Sequence, residues 1–271
     1  MGVDVTEIFS SIQGEGLFVG CRQVFLRFFN CNLNCFYCDT RMEEAPAFCR
    51  IEKGLGTGEF YYRQNPLKVS DLISILHSFS LHIHHSLSLT GGEPLLQVNF
   101  LKEFLPALKK ETAIKIFLET NGTLVVELEE ILPLLDILAI DFKLPSSLEG
   151  KSYLETHHSF LQKSLEKICF VKIIITPLTQ EEELKEYLLA IKDVSPSVPV
   201  ILQPVTPVSD RDKDSDSVRD SDKESDRSSN GGSNRGTAVS PGRIFDLQGM
   251  ALEILPEVRV IPQVHKMLGY L

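Results

Sequence analysis

The sequence predicts an α/β fold built on a mainly parallel sheet. Strand-like runs rich in β-branched and aromatic residues recur along the chain. Amphipathic stretches of helical period lie between them. Most of the strand runs are apolar at nearly every position, which suits parallel strands covered on both faces.

The elements follow in order. "MGVDVT" reads as a strand entering the core, and "RQVFLRFF" (22–29) as the next one. "SDLISILHSF" (70–79) opens on Ser70 as an expected N-cap and sets Leu72, Ile73, Leu76 and Phe79 on one helical face. "HSLSLT" (85–90) is a strand. "VNFLKEFLPALKK" (98–110) has helical period, with Pro106 expected to kink or end it. Strands follow at "AIKIFLET" (113–120), "DILAIDF" (136–142) and "ICFVKIIIT" (168–176). "EEELKEYLLAIKD" (181–193) gathers Leu184, Leu188 and Ile191 on one face. "VPVILQPV" (198–205) is the last long strand. Residues 47–66 read as a longer loop.

The 271 residues are 43 % apolar, enough for one large domain or two small ones. The formal charge of −10 argues against a general nucleic-acid binder, which would carry a basic face. The N-terminus has no basic and apolar leader, and runs such as "ILPLLDILAI" are too short to span a bilayer. A soluble, cytoplasmic protein without membrane contact is expected. Gly2 and Thr6 match a myristoylation pattern only weakly.

One segment breaks the α/β pattern. Residues 208–242 are rich in Ser, Asp, Arg and Gly, with eight acidic and six basic residues among them. So polar a stretch buries too little surface to offset its ordering entropy and reads as a disordered insertion. It contains no calcium-loop pattern. The expected organisation is therefore a core over 1–207, the insertion over 208–242, and a helix and strand segment over 243–271 that completes the core.

Six cysteines in a chain read as intracellular are expected to be reduced, metal-bound or buried. Cys21 and Cys169 lie in apolar surroundings and read as core residues; Cys49 falls in the 47–66 loop. The other three, Cys31, Cys35 and Cys38 in "NCNLNCFYC", are close enough to converge on one metal centre. A structural zinc would take four protein ligands, with Cys21 or Cys49 as the only nearby candidates for the fourth. The alternative is a cubane 4Fe-4S cluster with one iron left open for an exchangeable ligand. "SLTGGEP" (88–94) follows a strand, and its glycines permit close backbone approach to a ligand. Five polar, Gly- or Pro-containing segments, "NCNLNCFYC", "TGGEP", "ETNGT", "DFKLPSS" and "QPVTP", all fall at the ends of expected strands, the edge where α/β barrels carry their sites.

With these motifs the sequence resembles the radical S-adenosylmethionine (SAM) superfamily. The resemblance implies a partial, open β/α barrel of about six mainly parallel strands. It implies that SAM chelates the open iron and that reduction of the cluster cleaves SAM to a 5′-deoxyadenosyl radical. SAM contacts are implied at Tyr37, Cys38, Asp39, Gly91, Gly92 and Glu93, and further along at Asn121, Asp141, Lys143, Ser146 and Gln203.

"EIFSSIQGEGLFVGCRQVFLRFFNCNLNCFYCDT" (7–40) resembles, more narrowly, the 7-carboxy-7-deazaguanine synthases. The likeness continues through "LTGGEPLLQ", "LETNGT", "IDFKLPSS", "LQPV" and "RVIPQVHKMLG". It implies conversion of 6-carboxy-5,6,7,8-tetrahydropterin to 7-carboxy-7-deazaguanine with ring contraction and loss of ammonia, SAM being regenerated. It implies Mg²⁺ at Thr40, where a hydroxyl and a substrate carboxylate are hard oxygen ligands. It places substrate against Ile12, Gln13, Gly14, Glu15, Arg27, Thr90 and His265. Arg27 lies inside a strand and needs an anionic partner, which is either the substrate carboxylate or a structural salt bridge. His84, His85, His157 and His158 match no motif and are expected at the surface. An electron donor such as flavodoxin or ferredoxin and a homodimer are family expectations. The rival readings are a glycyl-radical activase with the same cysteine spacing, which needs neither the "SIQGEG" loop nor the Thr of "CDT", and a non-catalytic metal-binding module.

Overall fold

The computed structural model describes residues 1–206 and 238–269. Almost all of the 208–242 segment lies outside the described residues. Its last residues do not: the final long helix begins at Pro241, with Ser240 as N-cap accepting from Arg243 N at 3.3 Å.

The strands are β1 (Gly2–Val3), β2 (Val5–Ile12), β3 (Arg22–Phe28), β4 (Phe48–Glu52), β5 (Phe60–Gln64), β6 (Leu67–Lys68), β7 (Ser86–Gly91), β8 (Lys115–Thr120), β9 (Ile137–Phe142), β10 (Ile168–Ile175), β11 (Val200–Pro204) and β12 (Val258–Val260). The helices are α1 (Val69–His77), α2 (Val98–Glu111), α3 (Val125–Ile131), α4 (Leu154–Ser164), α5 (Glu181–Val194), α6 (Pro241–Ile254) and α7 (Val264–Leu268). No helix among the described residues is long and apolar enough to cross a membrane.

One open sheet runs β12-β11-β10-β9-β8-β7-β3-β2-β4-β5. The six long strands expected from sequence, β3 and β7 to β11, stand side by side and pair in parallel. The short β12 adds a parallel neighbour at one edge, and β2 pairs antiparallel with β3 at the other. This is the partial barrel.

Strand alternation divides the side chains between two faces. Leu26, Leu89, Leu118, Ile140, Ile173 and Leu202 face the main core, together with buried residues of the surrounding helices. Phe117, Ile137, Ala139, Phe170 and Ile201 face the other way, where Leu17 and Phe18 pack onto them from the turn after β2. The Phe18 ring meets Phe117 edge-on at 5.6 Å. The strands are mostly apolar because both faces are covered over much of their length.

Several local expectations are corrected. Lys68 takes the N-cap position of α1, and its N–H donates to Asp71 Oδ2 at 2.9 Å; Ser70 lies inside the helix. Helix α2 continues through Pro106, because buried residues on both sides of it, from Val98 to Leu108, hold both halves on the core. Residues 47–66 form the β4–β5 hairpin, whose register Arg50↔Tyr62 extends the sheet and buries Cys49. Cys169 is buried in β10 as expected, while Cys21 is only half-buried ahead of β3. His84 is buried, its Nε2 lying 2.8 Å from Ser10 Oγ. His157 is wholly buried inside α4, stacked on Phe142 at 4.4 Å. The Asn121 carbonyl, 2.9 Å from His157 Nε2, meets one of the ring nitrogens there.

Candidate active site

The C-terminal strand edge opens into a cavity of about 690 Å³. Its lower wall follows from the strand pleat. Phe117, Ala139, Phe170 and Ile201 form an apolar layer, of which Ala139 reaches the cavity, and two residues further along the same strands stand Glu119, Asp141, Lys172 and Gln203, which line it. One face thus changes from apolar to charged within one pleat repeat.

Cys31, Cys35 and Cys38 line the upper wall, on the irregular segment between β3 and β4. All are free thiols, and burial pushes those of Cys31 and Cys35 up. Glycines bring the segment after β7 against this loop. A Cβ on Gly91 would stand 2.3 Å from Phe28 O, and one on Gly92 would stand 1.9 Å from Asn30 O. The Glu93 N–H then donates to Asn30 O at 2.8 Å.

The donor set discriminates between metals. Among the described residues no three His, Cys, Asp or Glu groups converge as they would around a single ion. Neither Cys21 nor Cys49 reaches the cavity to serve as a fourth thiolate. Three thiols on one cavity wall fit a cluster with an open iron better than a closed tetrahedral zinc. Two buried acceptors of cavity-lining residues, Asp141 Oδ1 and Gln203 Oε1, have no hydrogen-bond partner among the described residues. Such atoms suit a ligand that donates hydrogen bonds, as SAM does through its ammonium and ribose hydroxyls.

A charged network crosses the cavity. Lys172 Nζ is bonded to Glu15 Oε2 and lies 3.5 Å from Asp141 Oδ2. Asp141 Oδ2 also accepts from Lys143 Nζ at 2.7 Å, and Lys143 donates to Tyr37 OH at 3.3 Å. Burial by itself would raise Glu15, but Lys172, Gln263 Nε2 at 2.8 Å and His265 outweigh it and hold the carboxyl at about 2. Burial would likewise lower Lys143 and Lys172, yet their carboxylates keep both well above the ordinary lysine range. Glu119 accepts from Ser88 Oγ at 2.8 Å, Gln13 Nε2 at 2.9 Å and Thr90 Oγ1 at 3.1 Å.

Of the residues singled out from sequence, Glu15, Arg27, Tyr37, Asp39, Thr40, Thr90, Gly91, Gly92, Asn121, Asp141, Lys143 and Gln203 join the cysteines on the cavity wall. Others stand apart. The Glu93 carboxylate turns inward, accepting from Leu95 N at 3.0 Å, Thr120 Oγ1 at 2.8 Å and Asn121 N at 2.7 Å. Burial raises it to about 7, against those three donors. It ties the ends of β7 and β8 together, so the cavity sees the motif's glycine backbone and not its carboxylate. Ser146 lies behind the wall, its N–H donating to Glu183 Oε2 at 2.9 Å. Ile12, Gln13, Gly14 and His265 also lie behind it. Gln13 instead supports Glu119, and Gly14 lets His265 pass closely, its O accepting from Val264 N at 2.9 Å. Arg27 makes the structural salt bridge, Nε to Glu7 Oε1 at 2.8 Å, while still lining the cavity. The Asn121 side chain is engaged with the cysteine loop, its Nδ2 donating to Asn32 Oδ1 at 2.8 Å.

Sequence reasoning missed Glu119, Lys172, Gln263 and Lys266. A lysine inside "ICFVKIIIT" and a glutamate near the end of "AIKIFLET" were the available signals, since a charge inside an apolar strand needs a buried partner. Lys266, whose Nζ lies 2.7 Å from Asp39 Oδ2, carried no such signal.

Residues 26–167 match the family described as the Radical SAM superfamily, the class that this fold and site define. The 7-carboxy-7-deazaguanine synthase of Geobacter sulfurreducens is 33 % identical over 273 residues, covering 100 % of this chain and 98 % of that one. The one of Archaeoglobus fulgidus is 30 % identical over 275 residues, covering 99 % of each. The chain belongs to the 7-carboxy-7-deazaguanine synthases. Among solved structures, that of QueE from Escherichia coli is a loose likeness, with a TM-score of 0.45 and 17 % identity over 79 % of this chain and 87 % of that chain.

Proposed function

We propose that this chain makes 7-carboxy-7-deazaguanine from 6-carboxy-5,6,7,8-tetrahydropterin, with loss of ammonia, in queuosine and related 7-deazapurine biosynthesis. The observation that carries the reading is three thiols on the wall of one charged cavity, with no fourth thiol lining it among the described residues. Full-length likeness to synthases of that name supports it.

Cys31, Cys35 and Cys38 hold a 4Fe-4S cluster. Such a cluster, together with SAM and one electron, would supply the means of removing a hydrogen atom from carbon. The protein's own groups bind and orient. Asp141 Oδ1 and Gln203 Oε1 accept hydrogen bonds from SAM. The Lys143 ammonium stands 5.3 Å over the Tyr37 ring and holds it against the cavity. Glu7 occupies Arg27 Nε, and Glu7 is itself held by Arg50 Nη2 at 2.5 Å. That leaves the outer edge of the Arg27 guanidinium for the substrate carboxylate. Glu119, steadied by three donors, accepts from the N–H groups of the pterin ring. The Thr40 hydroxyl and the substrate carboxylate together offer Mg²⁺ hard oxygen ligands. Gln263 and Lys266 tie the C-terminal segment to Glu15 and Asp39 across the cavity mouth and limit water entry. A flavodoxin- or ferredoxin-type donor, a homodimeric assembly and a cytoplasmic location complete the proposal.

The test is anaerobic turnover of the reconstituted protein with dithionite, SAM, Mg²⁺ and the pterin, with products followed by mass. Formation of 7-carboxy-7-deazaguanine, lost in Cys35→Ala, is the expected outcome. Cleavage of SAM with the pterin intact would keep the superfamily chemistry and remove the substrate. A loaded cluster that neither binds nor cleaves SAM would leave only a metal-binding module.

A further inference from the structure

Three side chains close a hydrogen-bonded ring beside one cysteine. Asn121 Nδ2 donates to Asn32 Oδ1 at 2.8 Å, Asn32 Nδ2 donates to Thr123 Oγ1 at 2.8 Å, and Thr123 Oγ1 donates to Asn121 Oδ1 at 2.6 Å. The single hydroxyl hydrogen of Thr123 is spent on Asn121, so its oxygen is free to accept from Asn32. The Asn121 backbone is held on both sides: its N–H donates to Glu93 Oε2 at 2.7 Å, and its C=O lies 2.9 Å from His157 Nε2. Thr123 N also donates to Asn121 Oδ1, at 3.1 Å.

The ring determines which way the Asn121 amide faces. Turned over, it would set Oδ1 against Asn32 Oδ1 and leave Thr123 without its acceptor. In the ring orientation Nδ2 lies 3.8 Å from Cys31 Sγ. The Leu33 N–H reaches the same sulfur at 3.4 Å. Cys31 Sγ thus receives two N–H donors. Hydrogen bonds to a ligating sulfur stabilise negative charge there and make a cluster easier to reduce.

We propose that Asn32 and Thr123 are positioning residues that hold the Asn121 amide against the Cys31 sulfur and thereby raise the reduction potential of the cluster. The proposal rests on the cluster reading above. It makes the Asn121 amide part of the cluster's surroundings, although sequence placed that residue among the SAM contacts.

The experiment is an anaerobic redox titration of the reconstituted full-length protein without SAM, the reduced cluster being read by electron paramagnetic resonance at matched iron content. Thr123→Val removes the hydroxyl at nearly constant volume. The expected result is a lower midpoint, equivalent to about a three- to fivefold fall in the reduced-to-oxidised ratio, or roughly 30–40 mV at ~59 mV per decade for one electron. Asn121→Ala shifts it at least as far, and Thr123→Ser restores it. Wild-type potentials in both Thr123→Val and Asn121→Ala overturn the proposal. A shift in Asn121→Ala without one in Thr123→Val also overturns the positioning role. Should Asn121→Ala fail to hold a cluster, the comparison of Thr123→Val with Thr123→Ser decides by the same criterion. A wild-type protein that takes up no cluster, with the same iron content as Cys35→Ala, refutes the underlying site reading and the proposal with it.

Discussion

Replacing Lys172 by Met separates two descriptions of the cavity, a set of ligand contacts and an electrostatic framework that the fold depends on. The Lys172 and Glu15 side chains are only 12 % and 18 % exposed, so their attraction is weakly screened. Without the ammonium, Asp141 keeps Lys143, but Glu15 keeps only Gln263 and the remote influence of His265. Burial then pushes the carboxyl upward with its largest opposing influence gone. Its present position at about 2, against an ordinary 4.5, corresponds to about 3 kcal/mol at pH 7, each tenfold change in proton affinity being worth ~1.4 kcal/mol. That agrees with the ~3–5 kcal/mol lost when one partner of a buried pair is removed. Lys172→Met should therefore lose about 3 kcal/mol in urea unfolding followed by circular dichroism. The double variant Lys172→Met/Glu15→Gln should recover most of it, because no uncompensated charge remains. The pH dependence has a definite sign. A carboxyl held below its unfolded value contributes fully above pH 4.5, and that contribution is lost as pH falls toward about 2. Glu15→Gln should flatten the curve in that window. A Lys172→Met protein within about 1 kcal/mol of wild type, or a double variant as unstable as the single, would refute the reasoning.

Further outcomes follow from the same geometry. Burial holds His157 at about 4 against an ordinary 6.5, so its contribution is present above pH 6.5 and is lost as pH falls to about 4. His157→Gln, which keeps a donor for Asn121 O, should lose less stability than wild type between urea titrations at pH 7 and pH 4.5; an unchanged loss would clear this histidine. Gly14→Ala places a Cβ 2.2 Å from His265 Nδ1 and 2.5 Å from His265 N. It should displace the C-terminal segment, seen as faster tryptic cleavage at Lys266 together with reduced turnover; wild-type digestion would show that the loop relaxes instead. Excision of residues 208–237, which spares the Ser240 cap of α6, should leave turnover within about twofold, since so polar a segment has little to bury. Collapse of activity with full cluster content would show that the segment takes part in catalysis.

These effects share one cause. The cavity is charged because the strand faces that build it change from apolar to polar after one pleat repeat, and the low exposure there makes each pairing count. Arg27 illustrates the consequence. Its Nε is committed to Glu7 and its place in β3 is fixed opposite Thr90, so it presents one remaining edge to a ligand. A guanidinium held in this way loses little conformational freedom on binding a carboxylate.

Local pattern was enough to locate the six long strands, the helix over 181–193 and the cysteine triad, because the period of apolar residues and the spacing of thiols are short-range properties. The motif loops likewise announced themselves as polar breaks at strand ends. Pattern did not reveal which atoms of each motif face the cavity. Glu93 looks like a ligand in sequence, yet it is consumed by Leu95, Thr120 and Asn121. Lys172 looks like an interruption of a strand, yet it pairs with Glu15, 157 positions away. The β4–β5 hairpin and the burial of His84 and His157 escaped notice for the same reason. Composition and motif order determined the fold class and the family likeness, and through that likeness the expectation of a cluster and SAM. The tertiary structure alone decided the charge pairings, because sheet order and strand register bring together residues that no local period connects.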